Sequence, residues 1–366
     1  MAGTVTGNSL FFNLHSLVRI KAGELVSEAE KLLLRHFRLF LDKNGLQGNK
    51  ADILISQLRH KNIPFLQRQN TRAPSTFRVN KHGGDFFIVF GNIRKPDILI
   101  RLSETIELFY TPKQGCGWRI FDCLVLCIQL ALQKKNGMLF HGSVMNKTDK
   151  TILLMGPGGI GKSILVLNML KEGWNYLSED KFILLNGKAH IFRDYIPLTD
   201  YHFDIFPWLY AMKSLDKKAL RQAVFRKRFK KLAENYLPVQ ILQHLKYLYN
   251  PPVFTDVADI CPDCKIIQTA EPSTALILLP GDEFSVAEVR KEEIIGKIKT
   301  IQWSAFPMLE DVLRHLSLYG YESRHDIDNI IEDSLSVRKF YAVTIPYAEN
   351  PDNVYKDFKK CLSQVS

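Results

Sequence analysis

The run Gly156-Pro157-Gly158-Gly159-Ile160-Gly161-Lys162-Ser163 constrains this chain more than any other stretch. It satisfies G-x-x-x-x-G-K-[ST], a loop whose backbone N–H groups cradle the α- and β-phosphates of a nucleotide. Its flanks agree with it. Lys150 to Met155 is a short apolar run that reads as a buried strand. From Ser163 onward Ile164, Leu167 and Leu170 recur at helical spacing, and Gly173 stands where that helix would end. Strand, glycine loop and helix in this order aim free N–H donors and the positive end of a helix dipole at an anion. Lys162 then reaches the β/γ-phosphates and Ser163 ligates Mg²⁺.

A second strand, Trp174 to Leu177, leads into Ser178-Glu179-Asp180, and a third, Phe182 to Leu185, follows at once. Two acids at a strand end beside a phosphate loop can hold a metal and accept a proton from an attacking hydroxyl. Taken singly, each would be an ordinary turn residue. Upstream, Leu139-Phe140-His141-Gly142-Ser143 closes an apolar strand on a histidine that alone would read as structural. Downstream, Arg193 follows the strand Ala189 to Phe192.

In combination these pieces resemble the catalytic core of the HPr serine kinase/phosphorylase family. They look closer still to the HPr-kinase-like enzymes that accompany peptide-modifying enzymes, lasso-peptide tailoring kinases among them. The resemblance runs from His141 to about Asp194. It implies an α/β fold with a P-loop nucleotide domain of the phosphoenolpyruvate-carboxykinase/HPr-kinase type, built on a mixed sheet. By position it implies that Gly156 to Ser163 bind the phosphates and Mg²⁺, and that His141 faces the transferred phosphoryl group. Arg193 falls where such relatives carry basic phosphate-facing residues. The expected catalytic set is therefore His141, Lys162, Glu179 and Asp180, with Ser163 and Asp180 at the metal. Relatives usually carry aspartate where this chain has Glu179, so the division between base and metal ligand stays open. The Arg-Gly-Leu-Gly-Ile type of signature linked to HPr binding is absent, so HPr is not the expected acceptor.

A length of 366 residues allows two domains. The expected division is a smaller N-terminal α+β domain over residues 1–135 and the nucleotide domain over 136–366. In the first, Glu24 to Phe40 carries apolar residues at helical spacing, and Leu10 to Ile20 alternates as one strand would. Short strand-like pieces between turns follow, which predicts a small antiparallel sheet with one helix. Trp118 to Lys134, apolar nearly all round, reads as a buried connecting helix. No apolar run reaches the roughly 18 residues of a bilayer span, and Met1 to Ser9 lacks a signal-peptide pattern. The expectation is a cytoplasmic protein with no membrane partner.

The formal charge of +11 raises nucleic acid as a partner, but its distribution argues otherwise. The densest basic segment, Lys213 to Lys231, interleaves its charges with Leu215, Leu220, Val224 and Phe229 as an amphipathic helix does. That helix reads as a solvated face or as a docking surface for an acidic peptide. Asp200, His202 and Asp204, set two apart, suit either a metal site on a strand or a loop over the active site. Cys261-Pro262-Asp263-Cys264 is a lone pair with no second pair to complete a zinc site, and no disulfide framework is implied.

The reading is an ATP- and Mg²⁺-dependent kinase acting on a hydroxyl, with a serine of a peptide or protein as the acceptor; GTP is not excluded as donor. A nucleotide-gated peptide- or RNA-binding module and a kinase for a small hydroxylated metabolite are the alternatives. The resemblance also carries over a homo-oligomer, whose size no heptad in the chain fixes.

Overall fold

The computed structural model describes residues 9–23, 25–43, 45, 50–59, 77–92, 95–113, 115–212, 253–321, 327–346 and 350–364. The basic segment 213–231 lies outside the described residues, as does the amphipathic stretch 237–249 that follows it. The described residues group into two units, Met1–Leu139 with Leu184–Asn186 and Gln302–Leu335, and Phe140–Ile183 with Gly187–Ile301 and Ser336–Ser366.

In the first unit, period-two burial of Phe12, Leu14, Val18, Ile20 and Ala22 makes β1 (Leu10–Leu14) and β2 (Val18–Ala22) a hairpin with one face inward. His15 and Ser16 turn the chain at φ 54° and 62°, and Asn13 Oδ1 accepts the Ser16 N–H at 2.7 Å. The single strand expected over Leu10 to Ile20 is therefore a hairpin, reversed by residues that carry no Gly or Pro signal. Helix α1 (Ser27–Phe37) buries Ala29, Leu33 and Phe37 and crosses to β3 (Ile53–Gln57), which pairs parallel to β2. Strands β4 (Phe77–His82), β5 (Asp85–Asn92), β6 (Lys95–Leu102) and β7 (Ile106–Tyr110) run antiparallel in sequence. Strand β7 then lies parallel beside β3, giving the order β1-β2-β3-β7-β6-β5-β4. The small antiparallel sheet expected here is thus a seven-stranded mixed one. Its parallel pairings join segments far apart in sequence and leave no local pattern.

Helix α2 (Cys116–Gln133) packs on α1 and β7. By length and composition it could cross a membrane, yet 78% of it is buried inside the structure, which is how a core helix looks.

Strand β8 (Gly137–His141) carries the chain from the first unit into the second, which continues with β9 (Ser143–Lys147) and β10 (Lys150–Met155). Then come α3 (Lys162–Lys171), β11 (Asn175–Ser178), β12 (Lys181–Leu185), β13 (Lys188–Ile191), β14 (Tyr195–Leu198) and α4 (Asp200–Ile205). Later in the chain are β15 (Val253–Asp256), β16 (Thr269–Ala270), β17 (Thr274–Gly281), β18 (Ser285–Val289) and β19 (Lys339–Pro346). The main sheet has the order β11-β9-β10-β17-β19-β18 and is mixed, as expected. Strand β10 runs parallel to β17, and β17 parallel to β19, while β9 and β18 are antiparallel to their neighbours. Ile152 to Met155 and Ala275 to Leu278 are fully buried, the continuous apolar run of strands covered on both faces. The glycine loop leaves the sheet at the carboxyl end of β10, where open α/β sheets present their ligand crevices.

Candidate active site

The loop between β10 and α3 is tight at its base and open at its crest. A Cβ on Gly156 would sit 2.9 Å from Leu278 O, so only glycine lets β10 turn away this close to β17. At Gly158, Gly159 and Gly161 an added Cβ would meet nothing within 4 Å. Gly161, at φ 97°, starts α3 in the left-handed conformation, and no side chain caps the helix. The Ile164 and Leu165 N–H groups return to Gly161 O, so the N–H groups of Lys162 and Ser163 are the ones this helix start can turn to a ligand or solvent, with the positive end of the dipole behind them.

Lys162 is 6% exposed and its Nζ donates to Gly156 O at 2.7 Å and Pro157 O at 2.9 Å. Burial lowers its pKa to about 8, against the upward pull of Glu179 and Asp180. Ser163 Oγ donates to Glu179 Oε1 at 2.6 Å, which ties the helix start to the acids after β11.

Those acids sit in a sharp connection. Asp180 takes φ 65°, and the Lys181 N–H returns to Glu179 O at 2.8 Å. The Gly142 N–H donates to Asp180 O at 3.1 Å, a backbone latch that brings the end of β8, and with it His141, to the acids. Gly142 has no room for a side chain, since a Cβ there would lie 2.7 Å from Leu154 O. His141 Nδ1 stands 3.5 Å from Asp180 Oδ1, while Asp180 Oδ2 accepts from Lys181 Nζ at 2.6 Å and Arg193 Nη1 at 2.8 Å.

The two carboxyl groups are pushed apart electrostatically. Burial drives Glu179 up to about 7, the charge of Asp180 adds to that, and the Ser163 hydrogen bond, Lys162 and Arg193 oppose it. Burial would also raise Asp180, but Lys181, the His141 contact and Arg193 outweigh it and hold the group well below the usual carboxylate range. Glu179 Oε2 is buried and accepts no hydrogen bond from any described residue. Neighbouring carboxyls split in this way suit one to proton transfer and the other to permanent charge.

Of the residues expected at the site, Lys162 and Ser163 lie on the loop, Glu179 is bonded to Ser163, and His141 and Arg193 meet Asp180, the residue after Glu179. Arg193 arrives through Asp180, buried between the rings of Phe192 and Tyr195 at 5.5 Å from each centroid. Sequence reading passed over Lys181 and Gly142, although both directly follow a residue it singled out. The Asp200, His202 and Asp204 set is neither a strand nor a loop but helix α4. His202 caps it, accepting the Thr199 N–H on Nδ1 at 3.0 Å, and burial lowers its pKa to about 4. Among the described residues no three His, Cys, Asp or Glu side chains gather to hold a metal, and that includes Cys261 and Cys264. Ser163 Oγ and the Asp180 carboxylate are hard oxygen donors of the type Mg²⁺ takes alongside water and substrate phosphate, although here Ser163 is bonded to Glu179 and Asp180 to Lys181 and Arg193.

No family model and no curated protein matches this chain. Among solved structures it is similar to the HPr(Ser) kinase/phosphatase from Coxiella burnetii, at 9% identity over 62% of this chain and 92% of that one, with a TM-score of 0.29.

Proposed function

We propose that this chain is a phosphotransferase that moves the γ-phosphoryl group of ATP or GTP to a hydroxyl, with a serine of a peptide or protein as acceptor. The observation that supports the reading is the 2.6 Å bond from Ser163, beside Lys162 at the end of the glycine loop, to Glu179, whose neighbour Asp180 faces His141. Phosphoryl transfer asks little covalent work of a protein; it needs a cradle, a positive charge, a base and a metal. The amides of Gly158 to Ser163 supply the cradle and Lys162 the charge. Glu179, poised near neutrality, takes the proton of the attacking hydroxyl as the new O–P bond forms and the bond from the γ-phosphorus to the bridging oxygen breaks. Asp180, in contact with His141 and Arg193, would set both toward the transferred group. Ser163 and Asp180 would hold Mg²⁺, which when bound neutralises phosphate charge. The acceptor class follows the resemblance to peptide-tailoring kinases.

The test is transfer of label from γ-labelled ATP, with Mg²⁺, to pooled serine-containing peptides. Labelled peptide is the expected product. Release of free phosphate alone, or nucleotide binding without turnover, would contradict the reading and favour a nucleotide-gated binding module.

A further inference from the structure

We propose that the apolar cleft beside the glycine loop, walled by Ile164, Leu165, Tyr201, Ile345 and Val354, seats the purine base of the nucleotide. This deepens the reading above and rests on it. Three observations point the same way.

The first is continuity. The cleft is a half-open hollow that shares Gly159, Ile160 and Gly161 with the loop. An anion held on the loop therefore has its organic portion at the cleft mouth.

The second is polarity along α3. Ser163 turns to Glu179 on the side where the acids lie. Ile164 and Leu165, whose N–H groups both return to Gly161 O, open the helix on the cleft. A triphosphate lying across this helix start has a chemical end at Ser163 and an apolar end at Leu165.

The third is the wall itself. Leu165, Ile345 and Val354 are at most 8% exposed, so the cleft floor is fixed aliphatic surface. Tyr201 is 53% exposed, a large ring left half in water at the rim. Its backbone is nonetheless held, because α4 is capped by Thr199 and His202 and anchored by Phe203, which is 1% exposed. Among the described residues lining the cleft none is charged, so it offers little to a free ion and much to a flat, neutral ring that can stack on a phenol.

The experiment is calorimetric titration of the full chain, with Mg²⁺, using ATP and tripolyphosphate in parallel. Wild type is expected to bind ATP at least about ten-fold more tightly than tripolyphosphate, the scale of one base–aromatic stack. Tyr201→Ala should remove most of that gap by weakening ATP alone, and Tyr201→Phe, which keeps the ring, should restore it. Val354→Trp, which fills the cleft, should act like the alanine variant. Equal binding of the two ligands by wild type, or ATP affinity untouched by both Tyr201→Ala and Val354→Trp, would overturn the base site and leave the phosphate loop standing. The second of those results would give the cleft to a side chain of the acceptor. Failure of both ligands to bind would end both readings.

Discussion

Lys162→Ala is expected to lower phosphoryl transfer by about a thousand-fold or more while leaving the fold in place. Removing one preorganised donor from developing charge costs on the order of a hundred- to a thousand-fold, and Lys162 is a charged and buried donor, 6% exposed. In this structure its Nζ is spent on Gly156 O and Pro157 O, two carbonyls that any anion on the loop would compete with for it. Burial has already lowered its pKa from 10.5 to about 8, so the protein holds this ammonium at a cost that a bound phosphate would relieve. The sign of the stability effect follows. A cation whose pKa is depressed on folding contributes stability that is complete above about 10.5 and lost as pH falls through about 8. The alanine variant should therefore show a flatter denaturant stability between those limits than wild type. Transfer above a tenth of the wild-type rate would remove Lys162 from the mechanism.

Glu179→Gln is the second large effect, a fall of about a hundred- to ten-thousand-fold in rate at saturating ATP with nucleotide affinity little changed. Wild-type transfer should rise as pH passes through about 7, where the Glu179 carboxyl loses its proton, and the glutamine variant should lack that rise. Folding stability moves the other way. A carboxyl raised from 4.5 to about 7 contributes stability that is complete below 4.5 and lost as pH climbs through about 7. Glutamine keeps the uncharged form, so in metal-free buffer the variant should outlast wild type in urea near pH 8 and differ little near pH 5. A loss of nucleotide affinity with the saturated rate intact would move Glu179 to the metal shell.

Much of the site was legible because its chemistry is written in contiguous runs. Gly156 to Ser163, Glu179-Asp180 and His141 each announce a residue type at a spacing that local geometry enforces, and the strands around them alternate or run apolar as buried strands do. What local pattern cannot carry is pairing at a distance. Nothing in the residues of β3 and β7 says that they lie side by side and parallel, and nothing around Asn13 to Ser16 names a hairpin reversed by His15. Helix α4 was hidden for a different reason. It is short, and the histidine offered as a metal ligand is used as its cap, bonded to Thr199 three residues before it. Arg193 was found by its place in the chain, but its attachment to Asp180 comes from the fold. The cleft at Tyr201 needs Val354 and Leu165 to meet, which only the completed sheet arranges.

The most direct test of the account is a structure of the full chain with a non-hydrolysable ATP analogue and Mg²⁺. The triphosphate is expected across Gly158 to Ser163, with Lys162 Nζ turned from Gly156 O and Pro157 O onto phosphate oxygen and Glu179 facing the γ-phosphorus. An analogue bound away from the loop, with Lys162 still on those two carbonyls, would contradict it.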